Sequence, residues 1–126
     1  MARIVQKFGG TSVSDLNRIR NVAHRVKAEV DAGHEVAVVV SAMSGTTNQL
    51  IEWATTVGAV HDAREYDTIV ATGEQVTVGL LTIALQNLGV NARSWLGWQV
   101  PIYTDDLHGA APVSYTHLTL PTRYRV

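Results

Sequence analysis

The run EVAVVV, residues 35–40, constrains the fold more than any other feature of this sequence. Five apolar residues in succession, Val36 to Val40, follow a charged residue and precede a serine. A strand without alternation between polar and apolar residues is typical of a parallel sheet that helices cover on both faces. The run therefore predicts a central strand that is buried on both sides.

The segment before this run favours the same architecture. RIVQKF, residues 3–8, predicts an earlier strand. Residues 14–33 predict a helix between the two strands, with Ser14 as its N-cap and Gly33 as its C-terminal stop. Apolar residues spaced three and four apart predict the buried face of this helix, which comprises Leu16, Ile19, Ala23, Val26 and Val30.

Further helical segments follow the run. Residues 44–60 predict one helix, and residues 62–89 predict helical structure that is interrupted at Thr72-Gly73. Residues 90–106 predict further strand and loop. This order of elements predicts an α/β fold, a three-layer sandwich with a largely parallel sheet. The last helix is predicted to turn inward Val76, Leu80, Ile83, Ala84 and Leu88.

Composition excludes several classes of protein. The 126 residues are 46% hydrophobic and 17% charged, as in one soluble domain with a real core. A net charge of -1 offers no basic field for nucleic acid and no polybasic membrane patch. The absence of cysteine excludes disulfides and thiolate sites, and the five histidines show no metal-ligand spacing, so no protein-held metal is predicted. Without a signal peptide or a membrane-length apolar run, a cytoplasmic location is expected.

The stretch KFGGTSV, residues 7–13, follows the first predicted strand. A glycine pair lets the backbone turn without Cβ atoms in the way, so that its N–H groups can face an anion at a helix start. Lys7 adds a mobile positive charge beside this loop. The stretch is neither a Walker P-loop nor a dinucleotide fingerprint, because both spacings are absent. Two interpretations stay open at this point: a phosphate-binding loop, or a plain turn with a solvated lysine.

Two later stretches also place polar residues beside predicted element ends. They are VVVSAMSGTTNQL, residues 38–50, and ATGEQVTVGLL, residues 71–81. Ligands of open α/β sheets bind outside the carboxyl ends of the strands, where Ser41, Ser44, Thr46 and Thr47 are expected. Ser and Thr at a helix start are usually caps, and without further evidence this interpretation is favoured over a ligand site. Glu74 is either a carboxylate favoured by the helix dipole or a recognition group for a substrate ammonium.

Four stretches, in this order, resemble the aspartate kinases of the amino-acid kinase family. They are the three stretches above and GWQVPIYTDDLHG, residues 97–109. The resemblance covers about residues 2–111, and it favours aspartate kinase over the glutamate, acetylglutamate and uridylate kinases. It implies the N-terminal half of the amino-acid kinase fold.

The resemblance also implies a reaction and an ATP site. The γ-phosphoryl group of ATP would pass to the side-chain carboxylate of L-aspartate, giving 4-phospho-L-aspartate, the first step towards lysine, threonine and methionine. Such a transfer needs positioning and charge neutralisation more than a general base. Lys7 and the loop residues Phe8, Gly9 and Gly10 would contact the ATP phosphates, with Lys7 stabilising charge on the transferring group.

The aspartate site implied by the resemblance comprises Ser41, Thr47 and Glu74. Ser41 and Thr47 would hold the substrate, and Glu74 would bind its α-amino group. ATP would enter with Mg²⁺ as a co-substrate, and no tightly bound cofactor is expected. The expected partners are L-aspartate and ATP, without nucleic acid or membrane, and the parent enzyme is expected to be a homo-oligomer.

The sequence departs from the family near its end. After DDLHGAA the family continues with an arginine and an apolar strand, whereas this chain continues with PVSYTHLTLPTRYRV. Residues 1–111 are therefore expected to be an incomplete kinase domain, and residues 112–126 a non-native or disordered tail. We expect the chain to be inactive alone. The alternative is a small non-catalytic α/β module that binds an anionic metabolite through the same loops.

Overall fold

The computed structural model describes residues 1–100, 102–104, 106–109 and 111. In this part of the chain two strands and four helices follow one another in the order that the sequence predicts for its first 90 residues. They are β1 (Arg3–Phe8), α1 (Leu16–Asp31), β2 (Glu35–Val40), α2 (Thr46–Val57), α3 (Ala63–Val70) and α4 (Thr72–Asn87).

The two strands form a parallel pair, and α1 is the connection between them. Their register runs from Arg3 opposite Glu35 to Phe8 opposite Val40. The Arg3 guanidinium and the Glu35 carboxylate, 2.7 Å apart, form an ion pair at the start of the sheet. The predicted fold class, an α/β arrangement with a parallel sheet, is confirmed.

The prediction that β2 is buried on both faces is wrong for the part of the chain that the structure describes. There β2 pairs with β1 alone, so it is an edge strand. On the outer face of the pair, the side chains of Val5 and Val39 are 70% and 49% exposed. Helices α1 and α4 both pack on the inner face, so two of the three predicted layers are formed. The outer apolar residues lie where a further layer would pack.

Helix α1 begins one residue later than predicted. Its N-cap is Asp15, whose carboxylate accepts a hydrogen bond from the Arg18 backbone N–H at 2.9 Å, and the predicted cap Ser14 lies outside it. The predicted stop is confirmed, because Gly33 has a positive φ of 89°. The Gly33 N–H donates to the Val30 carbonyl and the following N–H donates to the Glu29 carbonyl, which are the two bonds of a Schellman motif.

The core lies between α1, α4 and the inner face of the sheet. Most of the predicted face of α1 is confirmed, but Leu16 is 54% exposed. The predicted face of α4 is partly wrong, because Val76 and Ile83 are 54% and 64% exposed. Since the polar residues of α4 are spread around the helix, its periodicity does not select a face, and packing against α1 does. The residues that α4 buries are Gly73, Thr77, Leu81 and Leu85.

The stretch Ala63–Asn87 is long and apolar enough to cross a membrane by length and composition alone. This is weak evidence for a membrane span, because core helices of soluble proteins pass the same test. The stretch is divided at Ala71 into α3 and α4, and α4 packs against α1.

The strand predicted within residues 90–106 does not form among the residues described there, where Thr104 makes only an isolated bridge. Two residues that follow it, His108 and Gly109, are attached to α3. The Asp67 carboxylate accepts a hydrogen bond from the Gly109 N–H at 2.9 Å and lies 3.2 Å from Nδ1 of His108. The predicted non-native tail, residues 112–126, lies outside the described residues and stays a prediction.

Candidate functional site

The two strands end side by side, and each leads into a loop that the sequence analysis singled out. Because the strands are parallel, both loops leave the same edge of the sheet. The Ser41 N–H donates a hydrogen bond to the Phe8 carbonyl at 3.2 Å, which joins the last residue of β1 to the first residue after β2. The KFGGTSV and SAMSGTT loops are therefore neighbours from their first residues.

All three singled-out motifs meet at Ala42, a residue that is only 6% exposed. A Cβ atom on Gly10 would lie 3.3 Å from the Ala42 carbonyl oxygen, and a Cβ atom on Gly73 would lie 3.0 Å from the Ala42 Cβ. Both glycines therefore permit a close approach that a larger residue would obstruct. Glu74 follows Gly73 directly, so the start of α4 is held against the β2–α2 loop.

The loop after β1 is held by contacts at its far end. The Ser12 N–H donates to the Gly9 carbonyl at 2.9 Å, and Val13 is fully buried. The Arg18 guanidinium donates to the Thr11 carbonyl at 3.3 Å. Neither Gly9 nor Gly10 has a positive φ, so the pair is not required by a left-handed turn. Gly10 is required by its approach to Ala42, whereas nothing lies within 4 Å of a Cβ atom built on Gly9.

The four polar side chains predicted for the site have no partner within the described part of the chain. Lys7 is exposed on the outer face of β1, and Glu74 is exposed in the first turn of α4. Ser41 follows β2, and Thr47 lies in the first turn of α2. Five other helical threonines donate to nearby backbone carbonyls, four of them within their own helix and Thr72 to Ile69 of α3; the four are Thr55, Thr68, Thr77 and Thr82. The hydroxyl groups at the sheet edge are thus available to a ligand.

The structure brings the three loops together, whereas the convergence of the four side chains on one bound substrate stays a prediction. A cavity of about 400 Å³ lies elsewhere, lined by Asp67, Thr104, Asp106, Leu107, His108, Gly109 and Ala111. The three motif loops meet instead at Ala42, and the four predicted side chains belong to these loops or adjoin them. Among the described residues, no group of three His, Cys, Asp or Glu could hold a metal ion.

Sequence reasoning missed three residues that shape this site. Ala42 and Gly73 form its central contact, and Asp15 caps the helix that follows the first loop. The sequence contains a signal for Gly73, which is a glycine directly before a carboxylate at a helix start. It contains no comparable signal for Ala42, an ordinary alanine between two serines.

Comparison with known proteins agrees with this arrangement. Residues 2–117 match the amino acid kinase family. Aspartokinase 2 of Bacillus subtilis (strain 168) is 48% identical over 114 residues, which are 90% of this chain and 28% of that protein. The aspartate kinase of Pseudomonas putida (strain KT2440) is 53% identical over 113 residues, again 90% of this chain and 28% of that protein. The chain thus spans less than a third of the length of these relatives.

Solved structures give the same result. Aspartate kinase from Synechocystis is similar with a TM-score of 0.74 and 46% identity, covering 76% of this chain and 16% of that one. Aspartokinase III of E. coli, solved in complex with aspartate and ADP, has a TM-score of 0.70 and covers 90% of this chain and 35% of that one. At 21% identity the latter shows the fold alone. The chain belongs to the amino acid kinase family, and the resemblance to aspartate kinases that its motifs predicted is confirmed.

Proposed function

We propose that this chain is part of an aspartate kinase, which transfers the γ-phosphoryl group of ATP to the side-chain carboxylate of L-aspartate. The observation that carries the proposal is the meeting of three motif loops at Ala42, with unpaired polar side chains around it. Similarity to proteins named aspartokinase over 90% of the chain supports the same substrates. The product is an acyl phosphate, 4-phospho-L-aspartate, and the proposed role is the first step of lysine, threonine and methionine biosynthesis.

The loop after β1 is proposed to bind the ATP phosphates. Its residues Phe8, Gly9 and Gly10 are proposed to contact the phosphates, and the absence of any atom within 4 Å of a Cβ atom built on Gly9 supports a close approach of an anion to the backbone there. Lys7, the residue before Phe8, has an exposed side chain without a partner in the described residues. Its ammonium group is therefore free to neutralise phosphate charge. Such a charge acts mainly in the transition state, where the transferring phosphoryl group is most loosely held.

The aspartate site is proposed to lie between the β2–α2 loop and the start of α4. Ser41 and Thr47 offer hydroxyl donors to the substrate carboxylates, and Glu74 offers a carboxylate to its α-amino group. The acceptor carboxylate is ionised at neutral pH, so it needs no general base. ATP is proposed to enter with Mg²⁺, and no tightly bound cofactor is required by this scheme. A cytoplasmic, homo-oligomeric parent enzyme completes the proposal.

A chimeric enzyme tests this function. Residues 1–111 of this chain would replace the matching segment of the Pseudomonas putida relative, and product would be trapped with hydroxylamine as the aspartyl hydroxamate. We expect ATP-dependent hydroxamate formation with L-aspartate. A matched chimera with Lys7→Ala should form far less product at equal stability.

The same assay separates the alternative of a non-catalytic anion-binding module. A folded chimera that binds ATP or phosphate but forms no hydroxamate would contradict the kinase proposal and support the module. Formation of glutamyl hydroxamate from L-glutamate, with no hydroxamate from L-aspartate, would contradict the proposed substrate but not the kinase activity.

A further inference from the structure

The contact between Gly73 and Ala42 joins the two halves of the proposed aspartate site. A Cβ atom on Gly73 would lie 3.0 Å from the Ala42 Cβ and 3.6 Å from the methyl group of Thr46. Gly73 is buried, although it lies in the first turn of α4 beside the exposed Glu74. The start of α4 is therefore seated on the β2–α2 loop with no space for one more carbon atom.

A second contact fixes the same position from within α4. The hydroxyl group of Thr77, which is fully buried, donates to the Gly73 carbonyl at 3.3 Å. The Ala42 carbonyl in turn lies against Gly10, where a Cβ atom would approach it to 3.3 Å. A displacement of α4 relative to Ala42 would thus also change the spacing between Glu74 and the loop after β1.

We propose that Gly73 is a positioning residue, whose lack of a side chain sets the distance between Glu74 and the hydroxyl groups of Ser41 and Thr47. This inference rests on the proposed function, because it assigns those three residues to one aspartate molecule. Gly73 touches no substrate in this scheme. It acts through Ala42, by allowing α4 to start within contact distance of the loop.

The expected effect follows from the size of the obstruction. A Cβ–Cβ separation of 3.0 Å is shorter than van der Waals contact, so Gly73→Ala must move α4 or the loop by a few tenths of an ångström. A misplacement of 1 Å can reduce a reaction rate by about 100-fold, so a smaller shift is expected to weaken aspartate binding about tenfold.

The test uses the whole 126-residue chain and two measurements. Titration calorimetry gives the dissociation constant of L-aspartate in the presence of ADP and Mg²⁺. Amide ¹H–¹⁵N spectra report the positions of Glu74 and of the β2–α2 loop without any ligand. The variants are Gly73→Ala, Ala42→Gly and the double variant. Gly79→Ala is the control in α4, because nothing lies within 4 Å of a Cβ atom built there.

We expect Gly73→Ala to weaken aspartate binding about tenfold and to shift the amide signals of both Glu74 and the loop. The double variant should restore both measurements, because Ala42→Gly removes the atom that the new Cβ meets. Gly79→Ala should leave both unchanged. If Gly73→Ala does not fold, recovery of folding and binding in the double variant supports the inference, and failure to recover overturns it.

The two proposals fail in different ways. If the wild-type chain binds aspartate and Gly73→Ala binds it with the same dissociation constant, the positioning role is overturned and the proposed function is unaffected. If neither the wild-type chain nor the chimeric enzyme binds aspartate, the proposed substrate site is wrong, and the amide signals then decide the positioning role. Shifts at both Glu74 and the loop that the double variant reverses support it, and shifts confined to α4 overturn it.

Discussion

Replacing the N-cap of α1 should destabilise the chain by a predictable amount. The Asp15 carboxylate accepts the 2.9 Å hydrogen bond from the Arg18 N–H, and Asp15→Ala removes it. Loss of such a cap costs about 1 kcal/mol of unfolding free energy, within a range of about 0.5–2 kcal/mol. The Asp15–Arg18 ion pair, at 3.9 Å with both side chains 59% exposed, adds little because solvent screens it. The expected decrease in Tm is about 3–5 °C for a chain of this size.

Urea unfolding followed by circular dichroism measures this difference, with Ser14→Ala as the matched control. The Ser14 hydroxyl makes only a 3.5 Å contact with the Asp15 carboxylate, so its removal should cost less than about 0.5 kcal/mol. Asp15→Asn keeps the acceptor oxygen and should recover most of the stability. Equal losses in the Ser14 and Asp15 variants, or a larger loss in Ser14→Ala, would refute the assignment of Asp15 as the cap.

Four further predictions follow from the same geometry. In the chimeric enzyme, Lys7→Ala should lower kcat by about 100- to 1,000-fold. It should change stability by less than about 0.5 kcal/mol, because the exposed Lys7 side chain has no partner in the described residues. Kinetics and urea unfolding measure the two effects, and an unchanged kcat would contradict the prediction. Glu74→Gln should raise the KM for aspartate by about 10- to 100-fold and leave the KM for ATP nearly constant; equal increases would indicate an ordinary helix-start residue. Gly33→Ala should lower the unfolding free energy measured with urea by about 1–2 kcal/mol, because φ is 89° at Gly33. Gly79→Ala in α4 should be neutral or stabilising, and equal effects of the two substitutions would contradict the left-handed C-cap. The purified 126-residue chain alone should form no aspartyl hydroxamate, and measurable product in that assay would overturn this expectation.

The order of the elements could be predicted because each has a strong local signal. RIVQKF and EVAVVV have the β-branched, apolar composition of strands, and the residues between them repeat apolar positions at helical spacing. Gly33 was predictable as a helix stop, because a left-handed backbone strongly favours glycine. The motif loops were predictable as well, since parallel strands leave their carboxyl ends at one edge.

Which face of each element is buried was predicted less accurately than the order of the elements. The apolar run in β2 indicates burial on two sides, but in the described residues the outer face, with Val39, is exposed. The polar residues of helix α4 are spread around the helix, so its periodicity does not select a face. Thr77, a polar residue, is fully buried there while Ile83 is 64% exposed. Burial depends on which neighbours pack against an element, and local sequence does not contain that information.

The sequence by itself determined the α/β class, the position of the loops and the residue types that could carry phosphoryl transfer. These depend on backbone propensity and side-chain chemistry, which are properties of short stretches. Only the tertiary structure decided that Gly10 and Gly73, 63 positions apart by their numbering, both pack against Ala42. Close approach between distant segments depends on the packing of α4 against α1 and the sheet, and that packing is a property of the whole chain.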